Sequence, residues 1–168
     1  MAKRRRQAKK TVLFIGEGIT EQAFLDYLKS IYISRGCGLS VKVQAANGGS
    51  PACILDYAIK QTRNRAYDRV AVLLDTDKEW GQKVKQDAKK NKIELIGSAP
   101  CIEGLILQLL KQPVPYASDN CKKQCQKLFK EKLTQKESYA EYLPIEYLDD
   151  IKAEFPVMER ILIYFGDH

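Results

Sequence analysis

At 168 residues and 19.1 kDa, 45% hydrophobic and 29% charged, the chain suits one globular domain with a real core and excludes wholesale disorder. Its net charge of +7 is uneven: +6 in residues 1–10, zero in 11–77, +7 in 78–136 and −6 in 137–168, a polarity that can steer a phosphate-rich partner. No apolar run approaches the roughly eighteen residues of a membrane span, and the basic start MAKRRRQAKK lacks the apolar segment of a secretory signal, so a cytoplasmic protein is expected.

Residues 1–10 read as a basic flexible arm. Thr11 to Ile15 is a short β-branched and aromatic run of the kind that forms a buried parallel strand. Gly16-Glu17-Gly18-Ile19-Thr20 is a tight turn, with Thr20 placed to cap the next helix. Phe24, Leu25, Leu28, Ile31 and Tyr32 then repeat at helical spacing until Gly36 and Gly38. Leu39 to Ala45 alternates as a second strand, and Pro51 fits the first turn of a second helix carrying Ile54, Leu55, Ala58 and Ile59. Arg69 to Leu74 is the strongest strand and runs directly into Asp75-Thr76-Asp77.

Residues 79–91 predict a lysine-rich helix, Lys92 to Ile96 a fourth strand, and residues 101–111 a nearly all-apolar helix with the single acid Glu103. Strands alternating with helices imply an α/β fold: a four-stranded, mainly parallel sheet flanked by helices. Beyond Pro113 and Pro115 the pattern changes to a lysine-rich helix over 119–136 and two short helices over 145–154 and 156–165. Residues 11–111 are therefore read as the core, and residues 112–168 as a helical C-terminal extension packed on it.

The five cysteines (Cys37, Cys53, Cys101, Cys121 and Cys125) are expected to be reduced thiols, since no export signal accompanies them. Cys121 and Cys125 are spaced to share a helix face, but further ligands at zinc-site spacing are missing. The only histidine is His168, so Ser-His-Asp and Cys-His chemistry lacks its base. Any chemistry falls to carboxylates or a metal.

In an open parallel sheet, ligands bind beyond the carboxyl ends of the strands. Glu17 and Glu21 follow the first strand, Asp75 and Asp77 the third, and Glu103 the fourth. Acids at helix starts also favour the helix dipole, and Asp75-Thr76-Asp77 reads equally as a capping turn. Five acids converging on one sheet edge, one of them in an apolar helix start, match the oxygen-rich donor set of Mg²⁺ or Mn²⁺.

Gly16-Glu17-Gly18-Ile19-Thr20-Glu21, the strand ending Asp75-Thr76-Asp77-Lys78, and Ser98-Ala99-Pro100-Cys101-Ile102-Glu103 together resemble the TOPRIM domain. More narrowly they resemble the RloB-like family, with its E-G-x-T-E, D-x-D-K and downstream P-x-F-E elements, over residues 11–111. The resemblance implies a Rossmann-like TOPRIM fold, Mg²⁺ or Mn²⁺, and phosphodiester chemistry on DNA or RNA, related to the overcoming-lysogenisation-defect nucleases. It also implies a prokaryotic defence or restriction-associated setting, with a partner ATPase or restriction-system protein. The chain departs from the family pattern at Ile102, where phenylalanine is usual. It departs again at Gly104–Leu109, where a tryptophan and a histidine are usual.

On this reading Glu17, Asp75 and Asp77 hold the metal ion, and Glu21 and Glu103 complete the site or hold a second ion. Glu17 or Glu21 acts as general base where it is not a ligand, and Lys78 neutralises phosphate charge. Backbone N–H groups near Gly18 and Thr20 receive a further phosphate. Arg4, Arg5, Arg6, Lys83, Lys85, Lys89 and Lys90 follow the nucleic-acid backbone without reading bases. The alternative is a non-catalytic nucleic-acid-binding or partner-binding module with a vestigial metal site.

Overall fold

Side chains along the two central strands divide strictly between two cores. Val12 and Phe14 of the first strand, with Ala71 and Leu73 of the third, face one apolar cluster. Leu13 and Ile15, with Val70, Val72 and Leu74, face the other. This is the period-two alternation of a strand buried on both faces, and it explains why these runs are continuously apolar.

The computed structural model describes residues 9–34 and 37–166, so Arg4, Arg5, Arg6 and His168 lie outside the described residues. In chain order come β1 (Lys10–Gly16), α1 (Ile19–Tyr32), β2 (Leu39–Ala45), α2 (Pro51–Asn64), β3 (Arg69–Asp75), α3 (Gly81–Lys90), β4 (Ile93–Ser98) and α4 (Ile102–Leu109). The α/β reading holds, and the four strands form one all-parallel sheet in the order β2-β1-β3-β4. No helix of the described residues is long and apolar enough to cross a membrane.

That strand order fixes where helices go. The chain leaves β1 in one direction to make β2, then returns past β1 to make β3 and β4. Crossovers of one hand must change face where the direction reverses. Accordingly, α1 packs its Phe24, Leu25 and Leu28 into the first cluster, while α2 (Ile54, Leu55, Ala58) and α3 (Val84, Ala88) pack into the second. The reversal opens a crevice beyond the carboxyl ends of β1 and β3, which pair directly with Gly16 opposite Leu73.

The remaining helices are α5 (Ser118–Leu128), α6 (Ile145–Ile151) and α7 (Pro156–Leu162), with 3₁₀ turns at Lys136–Tyr139, Lys152–Glu154 and Ile163–Phe165. They cover the α1 face, joining Cys121, Cys125, Phe129, Tyr139, Leu148, Ile161 and Phe165 to its core.

Three local expectations are corrected. Gly18, not Thr20, is the N-cap of α1, and Glu21 at the third helical position accepts the Gly18 N–H at 2.9 Å. The lysine-rich helix stops at Leu128 rather than 136, because Phe129 turns extended (φ −91°, ψ 131°) and buries its ring beside Tyr139 and Tyr142. The terminal helices each end in a 3₁₀ turn and are shorter than their apolar spacing predicts.

Candidate active site

Each acid reaches the crevice by a different local device. β1 ends at Gly16, where a Cβ would lie 2.5 Å from Glu21 Cβ and 3.0 Å from the Gln22 nitrogen. Only a bare α-carbon lets α1 start this close to the strand, and that closeness holds Glu17 and Glu21 at one crevice. Glu17 donates its N–H to the Leu73 carbonyl at 3.1 Å, and its Oε2 accepts the Asp75 N–H at 3.1 Å. Its side chain is thereby stitched across to the end of β3.

Asp75 closes β3 and caps the next unit. Its Oδ1 accepts the Ser98 hydroxyl at 3.1 Å and the Ile102 N–H at 3.0 Å, satisfying an orphan donor at the start of α4. Sequence reasoning missed Ser98, although a Gly-Ser pair ending a strand opposite a predicted acid was its signal. The Trp80 indole donates to the Asp75 carbonyl at 3.0 Å, and the Thr76 and Asp77 N–H groups both donate to the Pro100 carbonyl at 3.0 Å. The turn after β3 is thus tied to the turn after β4.

Glu103 stands in the first turn of α4 and is 8% exposed. Its Oε2 is buried without a hydrogen-bond partner, which is costly for a carboxylate. The departure from the family pattern at Gly104 has a steric reason: a Cβ there would sit 2.5 Å from Pro100 Cδ and 2.7 Å from the Ala99 carbonyl oxygen. α4 lies so close to this segment that any side chain at 104 would force Pro100 and Ala99 to shift.

Asp77 and Lys78 occupy the exposed rim. Asp77 Oδ2 accepts the Ser118 hydroxyl at 2.6 Å, binding the turn to the start of α5. Lys78 Nζ lies 3.3 Å from the Gly49 carbonyl and 3.5 Å from Glu17 Oε1, so it partners Glu17 rather than the aspartates. Lys83, Lys85, Lys89 and Lys90 are all exposed on α3, whose apolar side belongs to the opposite core.

The buried acids feel one another. Burial, then the charges of Glu103 and Glu17, push the Glu21 carboxyl up to about 7 against the lowering pull of backbone hydrogen bonds. Burial, then Glu21 and Glu17, push Asp75 up to about 8, with the Ser98 hydroxyl opposing and Asp77 adding a little. Glu17, Glu21, Asp75 and Glu103 therefore share one field, with Asp77 at its edge. Among the described residues no three His, Cys, Asp or Glu side chains stand as a ready-made metal cage, and one oxygen each of Glu17, Glu21, Asp75 and Asp77 is engaged within the chain.

A pH dependence follows from the two raised acids. Groups whose folded pKa exceeds the unfolded value contribute stability below about pH 4 that is lost as the pH climbs through about 7 to 8. In a chelator, the melting temperature falls between about pH 5 and 8.5, and Glu21→Gln flattens the slope. A melting temperature that rises over this window overturns the assignment.

The RloB-like family model matches residues 12–158, which takes in the sheet, all these acids and most of the C-terminal helices. The chain belongs to the RloB-like family. No curated protein and no solved structure matches it significantly. The match extends past the 11–111 stretch that carried the sequence resemblance, so α5, α6 and the start of α7 are part of the RloB-like pattern and not an appendage to it.

Proposed function

We propose that this RloB-like protein is a divalent-metal-dependent nuclease with a TOPRIM-type site, acting on phosphodiester bonds of DNA or RNA. The observation that carries the reading is the unpartnered, buried Glu103 Oε2, on an acid whose charge acts on Glu21 in a crevice where Glu17, Glu21 and Asp75 repel one another. A hard cation answers both, since it pairs the orphan oxygen and offsets the repulsion, and the donors are all carboxylate oxygens. Mg²⁺ or Mn²⁺ fits this set, with Glu17, Asp75 and Asp77 as its holders and Glu21 and Glu103 completing the site.

When bound, the ion polarises the scissile phosphate and lowers the pKa of water. The protein's own groups do the rest. Where it is not a ligand, Glu21, standing in the first turn of α1 at the crevice, is placed to take a proton on its carboxylate. Lys78, anchored on the Gly49 carbonyl, sets a positive charge beside Glu17 where phosphate charge must be balanced. Ile19 and Thr20 open the first turn of α1 toward solvent and offer N–H groups to a phosphate. A prokaryotic defence or restriction setting, with a partner ATPase or restriction protein, accompanies this reading through the family resemblance.

A second reading, a nucleic-acid-binding or partner-binding module with a vestigial site, draws on one observation. Asp75 Oδ1 is already employed as a cap by Ser98 and Ile102. Incubation of the purified protein with plasmid, single-stranded DNA and structured RNA, in Mg²⁺ or Mn²⁺ and in chelator, separates the two. Cleavage that depends on the ion supports the nuclease; a metal-independent pattern, or none with any substrate, supports the module.

A further inference from the structure

The lysine-rich stretch after Pro115 is not a uniformly solvated helix. Residues 118–136 hold six lysines and two acids, and the chain breaks from helix at Leu128 to fold back along the α1 face. This turn encloses a groove of about 450 Å³, lined by Thr20, Glu103, Lys122, Gln126, Lys130 and Lys132 among others. Glu103 therefore lines this groove together with a lysine fringe, and its charge reaches Glu21 of the acid crevice.

We propose that this groove is the track of the nucleic-acid backbone into the site, with Lys122 and Lys132 as its phosphate-holding residues. The inference deepens the nuclease reading and rests on it. Glu103 supplies the independent sign of a ligand, because it lines the groove and its Oε2 is buried without a hydrogen-bond partner. A phosphodiester fits both sides at once: its anionic oxygens meet ammonium groups on the fringe and a cation at the carboxylates. A neutral or cationic ligand would leave the lysines unanswered.

The lysines differ in readiness. Lys130 is held by Glu141 at 3.3 Å, and Glu131 beside it adds an opposing charge. Lys122 and Lys132 are exposed and make no direct ion pair among the described residues. Lys122 also lies in the field of the site: burial lowers its pKa, but Glu103, with lesser help from Asp75, raises it further and keeps it charged. The floor of the groove is apolar, with Phe129 and the buried Cys125, whose thiol burial pushes up to about 12, so it stays neutral. By contrast, the lysines of α3 belong to a helix packed on the other face of the sheet. On this proposal the backbone track runs along the α5 side, and not along α3.

The test compares binding of a fluorescent oligothymidylate to the full chain in chelator, as a function of salt, for four proteins. These are wild type, Lys122→Gln/Lys132→Gln, Lys83→Gln/Lys89→Gln and Asp75→Asn. Two lost phosphate contacts on a single strand lower the log–log salt slope by about 1.4 and weaken binding about tenfold at low salt. The α3 pair binds as wild type, and Asp75→Asn binds at least as well. All four variant positions bar Asp75 are exposed, and Lys132→Gln alone serves if the double variant misfolds. Wild-type affinity in the groove variant, an equal loss in the α3 variant, or no binding by wild type overturns the proposal. The metal reading fails by a different measurement, the absence of an Mn²⁺-dependent rise in wild-type melting temperature, which the groove variant retains.

Discussion

Asp75→Asn abolishes cleavage and the metal-dependent rise in melting temperature, and the metal-free variant melts at or above the wild-type temperature. The second half of this result separates a functional acid from a structural one. Asp75 does two jobs: its Oδ1 caps α4 and accepts from Ser98, while its charge adds to the repulsion in the crevice. Asparagine keeps the acceptor oxygen and removes the charge, and its amide hydrogens face acids that welcome a donor. Alanine removes the cap as well, at about 1 kcal/mol, so Asp75→Ala gives back part of the relief.

In wild type, an ion present at a hundred times its dissociation constant adds about 2.7 kcal/mol. That is about 5–10 °C for a chain of this length. In Asp75→Asn both the shift and the cleavage are lost, because a metal-holding carboxylate is gone. Scanning calorimetry in chelator and in Mn²⁺, beside the cleavage assay, reads both. If Asp75→Asn melts far below wild type in chelator, the carboxylate is a structural cap whose charge matters to the fold. If it still responds to metal and still cleaves, the reaction lies elsewhere in the molecule.

The sequence carried the sheet because both signals there are strong and agree. Continuous apolar runs such as Arg69–Leu74 fit only strands buried on two faces, and β-α alternation leaves few topologies. A metal shared by Glu17 and Asp75 requires that the strands before them be neighbours, and β1 does pair with β3. The contacts that make the crevice were not legible. Thr20 looks like a cap, but the turn closes one residue pair earlier because Glu21 reaches back to Gly18, a choice made by a hydrogen bond and not by propensity. Nor does a helical lysine pattern over 119–136 disclose that Phe129 will leave the helix for the core. There tertiary burial outweighs local preference, and the groove beside Glu103 exists only because it does.

Residues 9–111, expressed without the segment after Lys111, do not fold into a cooperative unit, although they contain the whole sheet and every acid of the site. The reason lies in the inequality of the two faces. The α2–α3 face closes its core with residues from within that span, from Leu13 to Ile93. The α1 face does not. Phe14 at the centre of β1 rests on Tyr164 and Phe165, with ring centroids 5.3 and 5.8 Å away. Phe24 and Tyr27 pack on Tyr139, and the Tyr27 hydroxyl donates to the Leu143 carbonyl at 2.7 Å. The end of α4 is held in turn by the Tyr147 hydroxyl on the Leu109 carbonyl at 2.6 Å. Truncation would bare Phe14, Phe24, Leu25, Leu28 and Ile106 together, a contiguous apolar patch beyond the few hundred Å² that soluble monomers tolerate. A milder probe of the same dependence is Phe14→Ala, which costs about 3–5 kcal/mol through a cavity walled on both sides of the boundary. Tyr139→Ala acts from the other side by a similar amount, and because the two cavities share the α1 face, their effects combine in one transition. Urea denaturation followed by circular dichroism reads all three. Two separable transitions in the full chain, or a sharp transition in the 9–111 fragment, would show that the sheet stands alone and that the C-terminal helices merely lean on it.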